Sequence, residues 1–326
     1  MSKMGDIFVI VEHRKGEIRS ITFEMLYKAG EICKALNHKL TAVLLAGKGQ
    51  PFASDISKWA DTVLVFEDDR FMDFDSDTYK EVINRLILQQ SPFITLIGHT
   101  SWGMDLAPAL SVRAGYPVAT DCVDIIVEGG RPKAIRQTYG GKAFSRVSFR
   151  ESPGYLITVR PGAFIPPDGA ADRQANVVMM DIPSDLGPAK RDFVEFVDTA
   201  AGEVDISQAE FLVSIGRGVG EKENIDAIKD LADKMGGTLS CSRPIVDMNW
   251  LPKYHQVGTS GKSVRPKIYL ALGISGAFQH VAGISGAQTV IAVNKDKKAP
   301  IFRVADYGVV DDLFSIADAL KEKIKG

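Results

Sequence analysis

The residues best able to do chemistry lie in the last third of the chain, on short glycine-bearing runs. Gly273-Ile274-Ser275-Gly276 follows an apolar stretch at 268–272 and leads into Ala277, Phe278, Gln279 and His280. Glycines at such a turn let the backbone take positive φ and aim N–H groups at an anion near a helix N-terminus. A second apolar stretch at 289–293 ends in Asn294-Lys295-Asp296, so strand, glycine turn, helix and strand follow in the order of a phosphate-cradling unit. Asn294, at the strand end, is placed to reach the ribose or ribityl region of a nucleotide. Two tight turns that merely join strands to helices would look the same, because short glycine patterns are unspecific.

Upstream, Gly216-Arg217-Gly218-Val219-Gly220 lies between an apolar strand at 211–216 and a helical pattern at 224–235. This is a dinucleotide-binding half in outline, but the glycines are spaced GxGxG and no acidic residue closes the next strand. Ser242 and Arg243 stand there instead. Pro244 biases Arg243 toward an extended conformation at the ligand-facing edge of the sheet, where it could read an NADP 2′-phosphate. Arg217 is placed to approach a pyrophosphate, or is a solvated surface arginine. Gln256, Val257, Gly258, Thr259 and Ser260, with Gly261-Lys262, have the character of an anion loop but not the spacing of a nucleoside-triphosphate loop. His280 fits a hydrogen-bonded core residue or a ligand contact. Asp312 and Leu313 open the last helix, where an aspartate is also an ordinary cap. The sequence holds no nucleophile-elbow triad, hydrolase carboxylate pair or metal-ligand cluster, so the chemistry must come from a cofactor.

These runs carry a resemblance. GISGAFQH, AVNKD and APIFRVADYGVVDDLF, preceded by SIGRGVG, SRPIVD and QVGTSGK, are similar to the signature of the alpha subunit of electron transfer flavoprotein. LAPALSVRAGYPVATDCVDI, TYGGKAFSRV and ITVRPGAF extend the resemblance into the first half. It implies FAD in a C-terminal domain and a heterodimer with a beta subunit. It further implies exchange with flavin dehydrogenases such as acyl-CoA dehydrogenases, and transient contact with a membrane quinone reductase. It places Arg243 beside the isoalloxazine ring, the Ser260 hydroxyl at flavin N5, His280 at the pyrimidine edge, and Asp312 and Leu313 at the adenosine end. The family's glutamine before that hydroxyl is Thr259 here. Whether the complex bifurcates electrons from NADH through a second flavin, held mainly by the beta subunit, stays open. From the residues alone, an NADP-dependent hydride-transfer oxidoreductase is the alternative.

The elements that must position these residues follow from the pattern. A chain of 326 residues with 45% hydrophobic content can fill two cores. Its net charge of −2 gives no basic excess for nucleic acid or an anionic membrane. Cys33, Cys122 and Cys241 are too far apart for a CxxC pair, no apolar run is long enough to span a membrane, and the N-terminus enters a strand at once. Cytoplasmic residence is the expectation. Apolar runs at 7–12, 41–47, 62–67 and 93–98 alternate with helical patterns at 22–36, 78–89 and 104–114. This predicts an α/β fold: an N-terminal parallel-sheet domain of nucleotide-hydrolase-like type, residues 1–204, which the resemblance packs against the partner subunit. From about Asp121 the runs CVDIIVEG, YGGKAFSRVSF and GYLITVRPGAF predict antiparallel strands, followed by a loop at 164–176 and a charged crossing at 181–209. A Rossmann-like C-terminal FAD-binding domain occupies 205–326.

Overall fold

In this computed structural model the alternating apolar and amphipathic runs form two compact units, residues 1–195 and 196–326. The structure describes residues 5–139, 143–167, 174–189, 191, 193, 194, 205–207 and 209–324. The division falls a few residues before the boundary expected at 205. Parts of the predicted loop at 164–176, of the YGGKAFSRVSF run and of the crossing at 181–209 lie outside the described residues.

The first unit is built on β1 (Ile7–Ile10), β4 (Leu40–Ala46), β5 (Thr62–Glu67) and β6 (Ile94–Gly98), with a small hairpin of β2 (His13–Arg14) and β3 (Glu17–Ile18). Its helices are α1 (Ser20–Leu36), α2 (Gln50–Ile56), α3 (Ser76–Gln90) and α4 (Ser101–Ala114). Then come β7 (Val118–Glu128), β8 (Arg131–Thr138), β9 (Ala143–Ser148), β10 (Tyr155–Val159) and β11 (Asn176–Met179). The nine-stranded sheet runs β11-β5-β4-β1-β6-β10-β7-β8-β9. Side chains of α1 and α2 fill one core beside it, and those of α3 and α4 fill another. Caps mark the helix limits: the Asp75 carboxylate accepts the Thr78 N–H at 2.9 Å, and Gly115 ends α4 at φ +71°.

One expectation needs correction here. Of the strands expected to be antiparallel, β7, β8 and β9 pair so; β10, expected to join them, is parallel to both β6 and β7. The chain makes a hairpin excursion and returns to insert an apolar strand, buried at all five positions, into the middle of the sheet. Burial on both faces is the environment of a parallel strand. Where the expected loop ends, at Asn176, the chain forms an unforeseen strand, β11, a mostly exposed edge strand parallel to β5.

The strand order of this unit reverses between β1 and β6, where such sheets offer a ligand crevice. Here its own side chains fill the space. The His13 ring stacks on Phe52 at 5.1 Å, meets Trp102 edge-on at 5.7 Å, and lies 2.7 Å by Nε2 from the Leu45 carbonyl oxygen. Thr100 Oγ1 donates to the buried Glu12 carboxylate at 2.8 Å.

The second unit holds β12 (Phe211–Ile215), α5 (Ile225–Lys234), β13 (Thr238–Ser242), α6 (Arg243–Asp247) and β14 (Gln256–Val257). It continues with β15 (Ile268–Leu272), α7 (Phe278–Gly283), β16 (Thr289–Val293), β17 (Tyr307–Val309) and α8 (Leu313–Ile324). All its strands are parallel, in the order β14-β13-β12-β15-β16-β17. Numbered within the unit this is 3-2-1-4-5-6, the Rossmann order, with its switch point between β12 and β15. Apolar clusters lie on both sheet faces, one under α5 and α8, the other under α7.

On α1, Glu24 is 1% exposed, and its Oε2 accepts the N–H of Gly162 at 2.9 Å and of Phe164 at 3.4 Å. The carboxylate thus pins the loop after β10. Glu24→Ala is expected to cost about 1–3 kcal/mol, because buried N–H groups lose their acceptor. Urea unfolding should show a lower midpoint at an unchanged m-value.

Candidate functional site

At the switch point of the second unit a cleft of about 610 Å³ opens at the carboxyl ends of the strands. That volume suits a cofactor-sized ligand. Five short segments wall it: Arg217 and Gly218 after β12, the α6 residues with Ser242, residues 256–260, the turn after β15 with the start of α7, and Asn294 after β16. The structure therefore gathers Arg217, Ser242, Arg243, Gln256, Val257, Gly258, Thr259, Ser260, Gly273, Ser275, Ala277, Gln279, His280 and Asn294 around one space.

The glycines of the two turns serve each other. A Cβ on Gly218 would lie 2.6 Å from Gly273 Cα, and one on Gly216 would lie 2.4 Å from the Gly273 carbonyl oxygen. The Gly218 N–H donates to Gly273 O at 3.0 Å, so that N–H closes the floor of the cleft rather than facing an anion. Gly273 and Gly276 do take positive φ, +63° and +81°. Gly276 is not a wall of the cleft: it packs on Ile301, whose N–H donates to Ser275 O at 3.0 Å.

The loop at 256–260 is tied down on both sides. Thr259 N–H donates to Gln279 O at 2.9 Å, and Lys262 N–H to Gln256 O at 2.8 Å. The Gln256 amide donates to Ser260 Oγ at 2.8 Å. With its oxygen engaged as an acceptor, the Ser260 hydroxyl keeps its hydrogen for the cleft. Asn294 works as a clamp: Nδ2 donates to Ile274 O at 2.9 Å and Oδ1 accepts the Asp296 N–H at 2.9 Å.

Charge collects at the mouth. Arg243 is the first residue of α6, correcting the extended conformation expected before Pro244, and Ser242 is its N-cap. Proline in the first turn of a helix removes no intrahelical hydrogen bond, which lets the helix begin there. Arg243 Nε lies 3.3 Å from Asp247 Oδ2, one turn on, and both side chains are mostly exposed. Screening keeps such a pair weak. Arg217 is exposed and makes no ion pair among the described residues. Asp312 caps α8, accepting the N–H of Phe314 at 2.8 Å and of Ser315 at 3.1 Å. Its Oδ2 also meets Lys295 Nζ at 2.7 Å, which holds the carboxyl below the usual range. Leu313 is a core residue, and Phe278, half-buried, also lies outside the cleft walls.

His280 is 5% exposed, with Nε2 2.8 Å from the Tyr269 hydroxyl. Its Nδ1 is buried at the cleft wall without a hydrogen-bond partner of standard geometry, with the Val257 backbone close enough to act on the ring. Burial lowers its pKa to about 4, against a smaller opposing effect of the Val257 backbone, so the ring is neutral at neutral pH. Reading the sequence missed Gly218, Pro244, Asp247 and Ile274 as wall residues, and Tyr269 beneath His280. The i, i+4 spacing of Arg243 and Asp247 in SRPIVD was the available signal for one of them.

Gly218→Ala is expected to push the two turns apart at a cost of about 1–3 kcal/mol, the range of overpacking in a tight site. Thermal unfolding of the variant should show a lower midpoint, and the mirror change Gly273→Ala should do the same.

Among the described residues no helix is long and apolar enough to cross a membrane, and no cluster of ligands fits a metal ion. The family model described as the electron transfer flavoprotein domain matches residues 7–185, and the one described as the electron transfer flavoprotein FAD-binding domain matches residues 205–285. The chain is 36% identical over 323 residues to the electron transfer flavoprotein subunit alpha of Methylophilus methylotrophus, covering 98% of this chain and 99% of that one. It is 36% identical to protein FixB of Clostridium saccharobutylicum, with 98% and 96% covered. It is also 33% identical to the LctC subunit of lactate dehydrogenase (NAD(+),ferredoxin) of Acetobacterium woodii, with 98% and 77% covered. With both family models matched and its relatives aligned along their length, the chain belongs to the electron transfer flavoprotein alpha subunit family, whose cofactor is FAD.

Proposed function

We propose that the switch-point cleft holds the FAD, and that the chain, paired with a beta subunit, relays electrons between flavin dehydrogenases and an acceptor. The observation that carries this reading is the buried, unpartnered Nδ1 of His280 at the wall of that cleft. A buried polar nitrogen without a partner is costly, and a ligand in the cleft would satisfy it. FAD supplies the electron-transfer chemistry when bound. The chain supplies charge and hydrogen bonds: Arg217 and Arg243 offer guanidinium groups at the mouth, Ser260 offers a hydroxyl hydrogen, and neutral His280 offers Nδ1. Asp247 sits beside Arg243 and moderates its charge. The NADP-dependent reading loses its footing, since the cleft belongs to a unit matched as an FAD-binding domain.

The names of the relatives support a subunit role: two are called subunits, one of them of an NAD- and ferredoxin-linked lactate dehydrogenase. FAD counted per purified heterodimer separates the types, one flavin for a simple carrier and two for a bifurcating complex.

Arg243→Ala is expected to lower the midpoint potential of the first flavin reduction on the order of tens of millivolts, the effect of one partly screened cation. Spectroelectrochemical titration of the FAD-loaded complex checks this, and an unchanged potential with FAD retained removes Arg243 from the role. Expressed without a beta subunit, the chain should retain substantially less FAD than when co-expressed with one. Size-exclusion chromatography with flavin quantification gives the answer, and a monomer fully loaded with FAD would refute the pairing.

A further inference from the structure

We propose that Tyr269 is a positioning residue that fixes the tautomer of His280, placing the ring hydrogen on Nδ1 so that the cleft is offered a donor. The proposal rests on the reading that FAD occupies this cleft, and it assigns the class of atom met there: an acceptor such as a carbonyl oxygen or an electron-rich ring nitrogen.

Three buried hydroxyls stand at the centre of this sheet, where apolar side chains would serve. Strands β12, β13 and β15 read FLVSI, TLSCS and IYLAL, and of their hydroxyl-bearing residues Ser214, Ser240 and Tyr269 are each 0% exposed. Ser214 pairs with Ser240 on one side and with Ala271 on the other. Tyr269 stands two residues before Ala271, so all three project from the same face. The Ser214 and Ser240 hydroxyls have no hydrogen-bond partner of standard geometry, yet both lie beside the Tyr269 phenol. Alanine would pack such central positions without stranding a polar atom. The three hydroxyls together are therefore explained by the phenol they surround.

The tautomer follows by counting hydrogens. Burial raises the Tyr269 pKa far above its ordinary value, so the phenol keeps its one hydrogen and needs an acceptor. His280 Nε2, at 2.8 Å, is the ring atom in reach. The serine hydroxyls can each donate to the phenol oxygen, which occupies its lone pairs and leaves its own hydrogen to point at His280. A neutral imidazole that accepts at Nε2 carries its hydrogen on Nδ1. Nδ1 is the nitrogen left unpartnered at the cleft wall. Charge developing on an acceptor in the cleft would then meet a donor already oriented, with no reorganisation of the ring.

The test uses the heterodimer labelled with ¹⁵N-histidine, with His280→Asn to assign its signal among the five histidines. In the FAD-free wild type, His280 should show a protonated Nδ1 and an unprotonated Nε2. Tyr269→Phe keeps the ring volume and should move the hydrogen wholly or partly to Nε2. Loaded with FAD, the variant should also have a lower first midpoint potential than the wild type. Should Tyr269→Phe not fold, the double variant Ser214→Ala, Ser240→Ala leaves the aromatic ring in place and should shift the tautomer ratio in the same direction. An Nε2-protonated wild type, or a tautomer that Tyr269→Phe leaves unchanged, overturns the proposal. A tautomer that moves while flavin potential and absorbance stay fixed upholds the Tyr269–His280 coupling and instead overturns the placement of FAD against His280.

Discussion

The second unit depends on a contact between two backbones. Gly218 and Gly273, each the turn that leaves a central strand, approach so closely that neither position has room for a Cβ, and one N–H···O bond of 3.0 Å joins them. The approach draws together the ends of β12 and β15 at the one place where the strand order reverses. Other ties extend from it. Asn294 holds Ile274, Ile301 holds Ser275, and the Thr259 amide holds the first turn of α7. The cleft walls are thus fixed by hydrogen bonds to main-chain groups, one of them from the Asn294 side chain, while the guanidinium groups of Arg217 and Arg243 remain at the rim.

Those side chains sort by depth. His280, Gln256 and Ser242 are buried, whereas Arg217, Arg243 and Asp247 stand at the solvent-facing rim. A neutral donor loses little by burial once its partner arrives, whereas an isolated charge buried in advance would be prohibitively expensive. Keeping the arginines wet avoids that penalty. Their influence on a ligand should grow when water is displaced from the rim, because Coulomb interactions strengthen as the effective dielectric falls.

Much of this was legible in the sequence, and the exceptions share a cause. The loops announced themselves because strand, glycine turn and helix have different local compositions, and fourteen of the expected ligand residues line the cleft. Gly276, Phe278, Asp312 and Leu313 lie outside its walls, and local sequence does not separate a glycine that packs on Ile301 or an aspartate that caps α8 from one that lines a cleft. The direction of β10 was hidden for a related reason: alternating polarity before it suggested a meander, and nothing local says that the chain returns to the middle of the sheet. Tyr269 was invisible as anything but an apolar strand residue, because its partner is eleven positions away on another element.

The filled crevice of the first unit has a thermodynamic consequence. A site that awaits a ligand makes folding stability a function of ligand concentration, through the free energy of binding to the native state. Where His13 lies against Phe52 and Trp102, and Thr100 against Glu12, the occupant is covalently part of the chain, and its supply cannot vary. The two sheets share a layered architecture but answer differently to scarcity. The stability of the second unit rises and falls with the availability of flavin, whereas the packing of His13 on Phe52 and Trp102 contributes to the first unit at any flavin concentration.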